Sequence, residues 1–205
     1  MEGLENSNTF PQIASAMPKY FLMPSSDKLS KENILAALDR LNELLHEKGV
    51  MGELCIFGGA AMVLAFDARE STRDVDGIFV PKGEVMTASR QVAEEFGFEP
   101  DWLNDGVKGF VSDEAEITSD GMPVYSNLRI MRPTTEYLLA MKCLASRAAE
   151  FGTEGDRADI ITLLKETGLT DSAEVCDLVA SYYKESLLPP RVKFYIEELI
   201  SEVKP

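Results

Sequence analysis

The sequence predicts an α+β protein: a small mixed β-sheet flanked by helices, followed by a helical C-terminal half. Three observations predict it. Short continuous apolar runs at Leu54-Cys55-Ile56-Phe57 and Ile78-Phe79-Val80, ended by Gly58-Gly59 and Pro81, read as buried strands. Stretches of helical period lie before, between and after them. Beyond Pro133 the chain has helical character throughout. A chain of 205 residues with 45% hydrophobic content buries one substantial core, or one core with a helical subdomain attached. The organisation predicted is an irregular arm over 1–29, an α/β core over 30–133 and a helical subdomain over 134–205.

Each element has a local cause. Residues 1–29 mix Ser, Asn, Pro and scattered apolar residues without a period, hence an arm. Ser30 stands at an N-cap position, and Ile34, Leu38, Leu41 and Leu45 recur at helical spacing until Gly49 supplies a stop. Leu54–Phe57 is a strand entering the Gly58-Gly59 turn, and 60–66 is a helix starting at those glycines. Asp74–Val80 is a second strand, stopped by Pro81. A helix follows over 84–96, and the acidic stretch around Trp102-Leu103-Asn104-Asp105 reads as a loop with short strands. Alternation through Val124, Leu128 and Ile130 predicts a strand over 123–131. Four helices are expected at 134–150, 156–167, 172–185 and 190–203, the last entered through Pro189-Pro190.

The formal net charge of −15 opposes binding of nucleic acid through a broad basic face. Between Glu94 and Asp120 nine acidic residues face one basic residue, Lys108. Cys55, Cys143 and Cys176 are odd in number and widely spaced, so they read as reduced core residues. The first residues lack a signal-peptide pattern, and no apolar run of roughly 18 residues is present to span a bilayer. A cytoplasmic protein without membrane partners is expected. His46, the one histidine, falls at the solvated end of the first helix, and Trp102 is expected to anchor the core.

The chemistry concentrates between residues 56 and 76. Residues i and i+2 of a strand share a face, so Asp74 and Asp76 project together while Val75 points into the core. Two carboxylates so placed call for a bridging cation, and Mg2+, which takes oxygen ligands and leaves positions for phosphates, suits them. Gly58 and Gly59 let a triphosphate approach the backbone and present N–H groups at a helix N-terminus. Arg69 and Arg73, with Ser71 or Thr72, add charge-assisted and hydroxyl contacts. In-line attack of a hydroxyl on a nucleotide phosphate follows, with metal ions, two being expected, on the attacking and leaving oxygens.

An apolar strand ending in Gly-Gly, then Arg-Glu-Ser-Thr-Arg-Asp-Val-Asp from Arg69 to Asp76 leading into the next strand, resembles the DNA polymerase beta-like nucleotidyltransferase superfamily. Within it the chain looks like bacterial nucleotidyltransferase-like proteins that include abortive-infection and type IV toxin components. The likeness covers roughly residues 50–165. It implies an NTP substrate, a phosphate-side lysine matched by Lys142 with Arg147 downstream, and a later Asp-x-x-Asp matched by Asp156 and Asp159. The resemblance thus implies Asp74, Asp76 and Lys142 as catalytic residues, with Gly58, Gly59, Arg69, Thr72, Arg73 and Asp159 binding nucleotide. The acceptor would be a hydroxyl on RNA, protein or a small molecule, and a toxin would need an antitoxin partner.

Three departures stand out. Gly155 occupies a position where the pattern has a basic residue, and 14 residues separate Gly59 from Asp74. A third carboxylate usual on a neighbouring strand is absent from 124–131, leaving Glu116 and Asp120 just before it as candidates. Without one, the alternative is a catalytically inactive nucleotidyltransferase-fold protein that binds a nucleotide or a partner. A plain structural domain would instead show its two carboxylates pointing apart.

Overall fold

The computed structural model describes residues 28–146, 154–184 and 189–203. All but the end of the predicted arm, and Arg147, lie outside the described residues. The elements run β1 (Leu29–Ser30), α1 (Lys31–Glu47), β2 (Gly52–Ile56), α2 (Gly58–Phe66), β3 (Ser71–Thr72), β4 (Val75–Val80) and α3 (Lys82–Phe96). After them come β5 (Leu103–Asn104), a 3-10 turn (Gly106–Phe110), β6 (Ile117–Thr118) and β7 (Leu128–Pro133). The helical half is α4 (Thr135–Ala145), α5 (Glu154–Thr167), α6 (Ser172–Tyr182) and α7 (Pro190–Val203).

The main sheet has five strands in the order β5-β4-β2-β7-β6. It is mixed: β2 pairs antiparallel with β4 and parallel with β7, β4 is parallel to β5, and β6 is antiparallel to β7. A separate two-stranded piece joins β1 to β3, Leu29 opposite Thr72. These two-residue strands carry no alternation that a sequence could display.

Alternation decides the two faces of the sheet. Leu54, Ile56, Val75, Phe79, Leu128 and Ile130 are buried together with Ile34, Leu38, Leu41 and Leu45 of α1 and Val85 and Val92 of α3. Each such aliphatic side chain removed from water contributes about 1.5–3 kcal/mol. The α1 stripe is held in phase by its start, where the Ser30 Oγ accepts from the Asn33 backbone N–H at 3.3 Å. Trp102 is also buried here, its indole N–H donating to the Ser89 carbonyl at 2.9 Å. The same apolar cluster includes Leu138, Ile160, Val175 and Ile196, so the helical half shares the core. On the opposite face Cys55 and Phe57 pack with Tyr137 of α4, and Ile78, Met131 and Met141 cover them.

Several boundaries differ from expectation: α2, α3 and α5 each begin two residues early, and α4 ends at Ala145, short of 150. The strand predicted over 123–131 begins only at Leu128 and runs to Pro133. Val124 makes a lone antiparallel bridge to Arg129 and is 94% exposed. A turn intervenes because Asn127 is pinned on both sides: its N–H donates to Asn42 Oδ1 and its carbonyl accepts from Gly52, each at 2.8 Å. The third helix of the C-terminal half stops at Tyr182 rather than 185, where Tyr183 takes an extended backbone. Among the described residues no helix is long and apolar enough to cross a membrane.

Candidate functional site

The site forms where β2 runs into α2. Gly58 opens the helix in the left-handed region, at φ +59°, and a Cβ there would meet Asp76 Oδ2 at 3.3 Å. A Cβ on Gly59 would lie 2.5 Å from Thr72 Oγ1 and 3.4 Å from an Arg69 guanidinium nitrogen. The glycine pair is therefore required twice over: one member for its backbone conformation, the other for the side chains seated against it. No side chain caps the helix, so its first N–H groups point outward without a side-chain acceptor. An anion is the natural partner of such groups.

Asp74 and Asp76 stand beside this helix start, both half-buried. Asp76 lies in β4, whose register sets it opposite Asn104 of β5, and the Asn104 amide reaches Asp74 Oδ2 at 3.4 Å. Burial, then the Asp74 charge, hold the Asp76 carboxyl above the ordinary aspartate range; the Asn104 amide and Lys142 act against that shift. Both carboxylates line one cleft of about 810 Å3. Gly58, Gly59, Arg69, Thr72, Arg73 and Lys142 line it too, as do Ser71 and Asp156.

Asp159 behaves differently. Fully buried, it accepts from Arg69 through two parallel bonds, Nε to Oδ1 at 2.6 Å and Nη2 to Oδ2 at 2.5 Å. Lys142 Nζ lies 2.7 Å from the same carboxylate and 3.0 Å from Asp156 Oδ1. Asp159 is absent from the cleft lining; it clamps two cations that do line it. A bidentate arginine–carboxylate pair fixes the guanidinium plane. Arg69 is thereby oriented with its remaining nitrogen toward Gly59.

Neither candidate third carboxylate reaches the cleft. Glu116 accepts from the Tyr182 hydroxyl at 2.7 Å, and Asp120 uses its backbone carbonyl to receive Arg132 Nε at 2.9 Å. On β7 the residue beside Cys55 is Met131, which packs in the apolar cluster under the site, and the strand ends at Pro133. Among the described residues no group of three or more His, Cys, Asp or Glu converges as a metal-holding set. The carboxylates that line the cleft are Asp74, Asp76 and Asp156, the last of them paired with Lys142 at 3.0 Å.

Sequence reasoning did not place Lys28, Val107, Phe110, Leu138, Met141 and Tyr183 at the site, and all of them line the cleft. Leu138 and Met141 carry a helical apolar signal that marks core and cleft alike, and the 3-10 turn has no period to read. His46, as expected, is exposed, with Nδ1 2.8 Å from Asn127 Oδ1. No family model, curated protein or solved structure matches the chain.

Proposed function

We propose that this chain is a metal-dependent nucleotidyltransferase that moves a nucleoside monophosphate from an NTP to a hydroxyl acceptor. One observation carries the reading: Asp74 and Asp76 share a single cleft with the uncapped start of α2 at Gly58-Gly59. The triphosphate would take the N–H groups of that helix start, with Arg69 and Lys142 beside it. The acceptor oxygen attacks the α-phosphorus, the bond from that phosphorus to the bridging oxygen breaks, and pyrophosphate leaves. The hydroxyl proton passes to a carboxylate oxygen of the Asp74–Asp76 pair.

The pair fits Mg2+, which is commonly held by one or two carboxylates together with substrate phosphates. When bound it would neutralise the mutual repulsion of Asp74 and Asp76 and polarise the phosphate under attack. Asp74 and Asp76 would have to hold a second ion as well.

A second reading is a nucleotide-binding module without transfer, favoured by the apolar Met131 and Pro133 on the neighbouring strand. Incubation with Mg2+, each NTP labelled at the α-phosphate and a cell extract separates the two. Transfer of label by the wild type, abolished by Asp74→Ala and by Asp76→Ala, is the expected result. Binding without transfer in all three proteins would leave the second reading standing. Growth arrest on expression, lost in Asp76→Ala, would extend the proposal to a toxin with an antitoxin partner.

A further inference from the structure

The cleft is lined by two unlike sets of residues. Glycine N–H groups, carboxylates and cations make one of them. The other is apolar and aromatic: Val107 and Phe110 of the 3-10 turn, Leu138 and Met141 of α4, and Tyr183. Val107, Met141 and Tyr183 are backed by the Cys55, Phe57 and Tyr137 cluster, so their positions follow from packing. Phe110 does not belong to either apolar cluster and is 60% exposed within the cleft wall. Core packing therefore gives no account of that side chain.

The turn that carries it is tethered at both ends. At its start the Gly106 N–H donates to Asn104 Oδ1 at 2.9 Å, and the amide of the same Asn104 reaches Asp74. At its end the Tyr183 hydroxyl donates to the Phe110 carbonyl at 3.0 Å. One asparagine thus links the aromatic shelf to the carboxylate pair, and one tyrosine links it to the helical half. A fixed, solvent-facing aromatic ring next to a phosphate-type site suits a ligand that is anionic at one end and flat at the other.

We propose that the Phe110 shelf is a base subsite, which takes the heterocycle of the nucleotide whose phosphates lie on α2 and distinguishes little among the four bases. This rests on the nucleotidyltransferase reading. Weak discrimination follows from the side chains: Val107, Phe110, Leu138 and Met141 carry no hydrogen-bonding group, and the Tyr183 hydroxyl is committed to the Phe110 carbonyl and to Tyr137. Stacking on an aromatic ring tolerates any base, since every base has a π-face.

Calorimetric titration of the full chain in Mg2+ tests this, using each of the four NTPs and inorganic tripolyphosphate as probes. The wild type is expected to bind the four NTPs with affinities within a few-fold of one another. Phe110→Ala should weaken every NTP by roughly tenfold, leave tripolyphosphate unchanged, and be restored by Phe110→Trp. Because Phe110 is exposed, its truncation leaves the core filled, and an unchanged melting temperature checks that. Equal NTP affinity in wild type and Phe110→Ala, with tripolyphosphate still bound, would overturn the subsite while leaving the phosphate site intact. A strong preference for one base would overturn the claim of weak discrimination. If neither NTP nor tripolyphosphate binds the wild type, the nucleotide reading fails and the subsite with it.

Discussion

Asp76 carries a carboxyl whose proton is held more tightly than an ordinary aspartate's, because burial and the charge of Asp74 both oppose its ionisation. With the native pKa raised above the unfolded value, the folded state binds more protons between the two, and stability falls as pH rises through that window. The cost is absent below the unfolded aspartate range, about pH 4, and complete once the native group has ionised. Asp76→Asn should therefore raise the melting temperature of the metal-free protein at pH 7 and lose that advantage near pH 4. Thermal melts of both proteins across this range check it; a gain equal at the two pH values excludes titration as its source. Added Mg2+ should narrow the difference at pH 7 by stabilising the wild type alone. The paired carboxylates were legible because a strand's two-residue repeat is local. Their third partner was not, since whether Glu116 or Asp120 reaches the cleft depends on hydrogen bonds made elsewhere.

At the scale of elements, the start of α2 is a tightly constrained joint. Gly59→Ala drives a methyl carbon to 2.5 Å from Thr72 Oγ1, and to 3.3 Å from Thr72 Cβ, itself a tight contact. Such overpacking costs about 1–3 kcal/mol. Thr72→Ala removes the closer atom, so the double variant should recover most of that loss, which urea unfolding of the four proteins in a cycle would measure. An additive result would show that the strain lies elsewhere. The helices and β2, β4 and α3 were readable because caps, glycines and prolines stand in the sequence at their ends. The beginning of β7 was not, because the turn at Asn127 is set by Asn42 and Gly52, which alternation through Val124 cannot reveal.

At the scale of the whole molecule, the helical half completes the site, α4 supplying Lys142 and α5 the Asp159 that grips it together with Arg69. Asp159 is buried against Arg69 and Lys142, so removing its carboxylate leaves two cations short of a partner. Asp159→Ala should destabilise the protein by about 3–5 kcal/mol, a cost that chemical denaturation would measure. The same substitution in an Arg69→Ala background should cost clearly less, because part of the penalty has gone. Equal costs in both backgrounds would mean that Asp159 does not act through Arg69. The sequence pattern singled out Asp159 and left its role to resemblance, since a carboxylate that grips cations looks the same in sequence as one that faces solvent.

The clamp between Arg69 and Asp159 spans 90 residues of chain. At roughly 5–20 residues added per second, a ribosome that has made the glycine turn and both carboxylates takes on the order of 5–20 s more to supply the acid that orients Arg69. Through that interval the nascent chain holds the parts of the cleft unassembled. The order of synthesis itself then delays assembly of the cleft until Asp159 has been made.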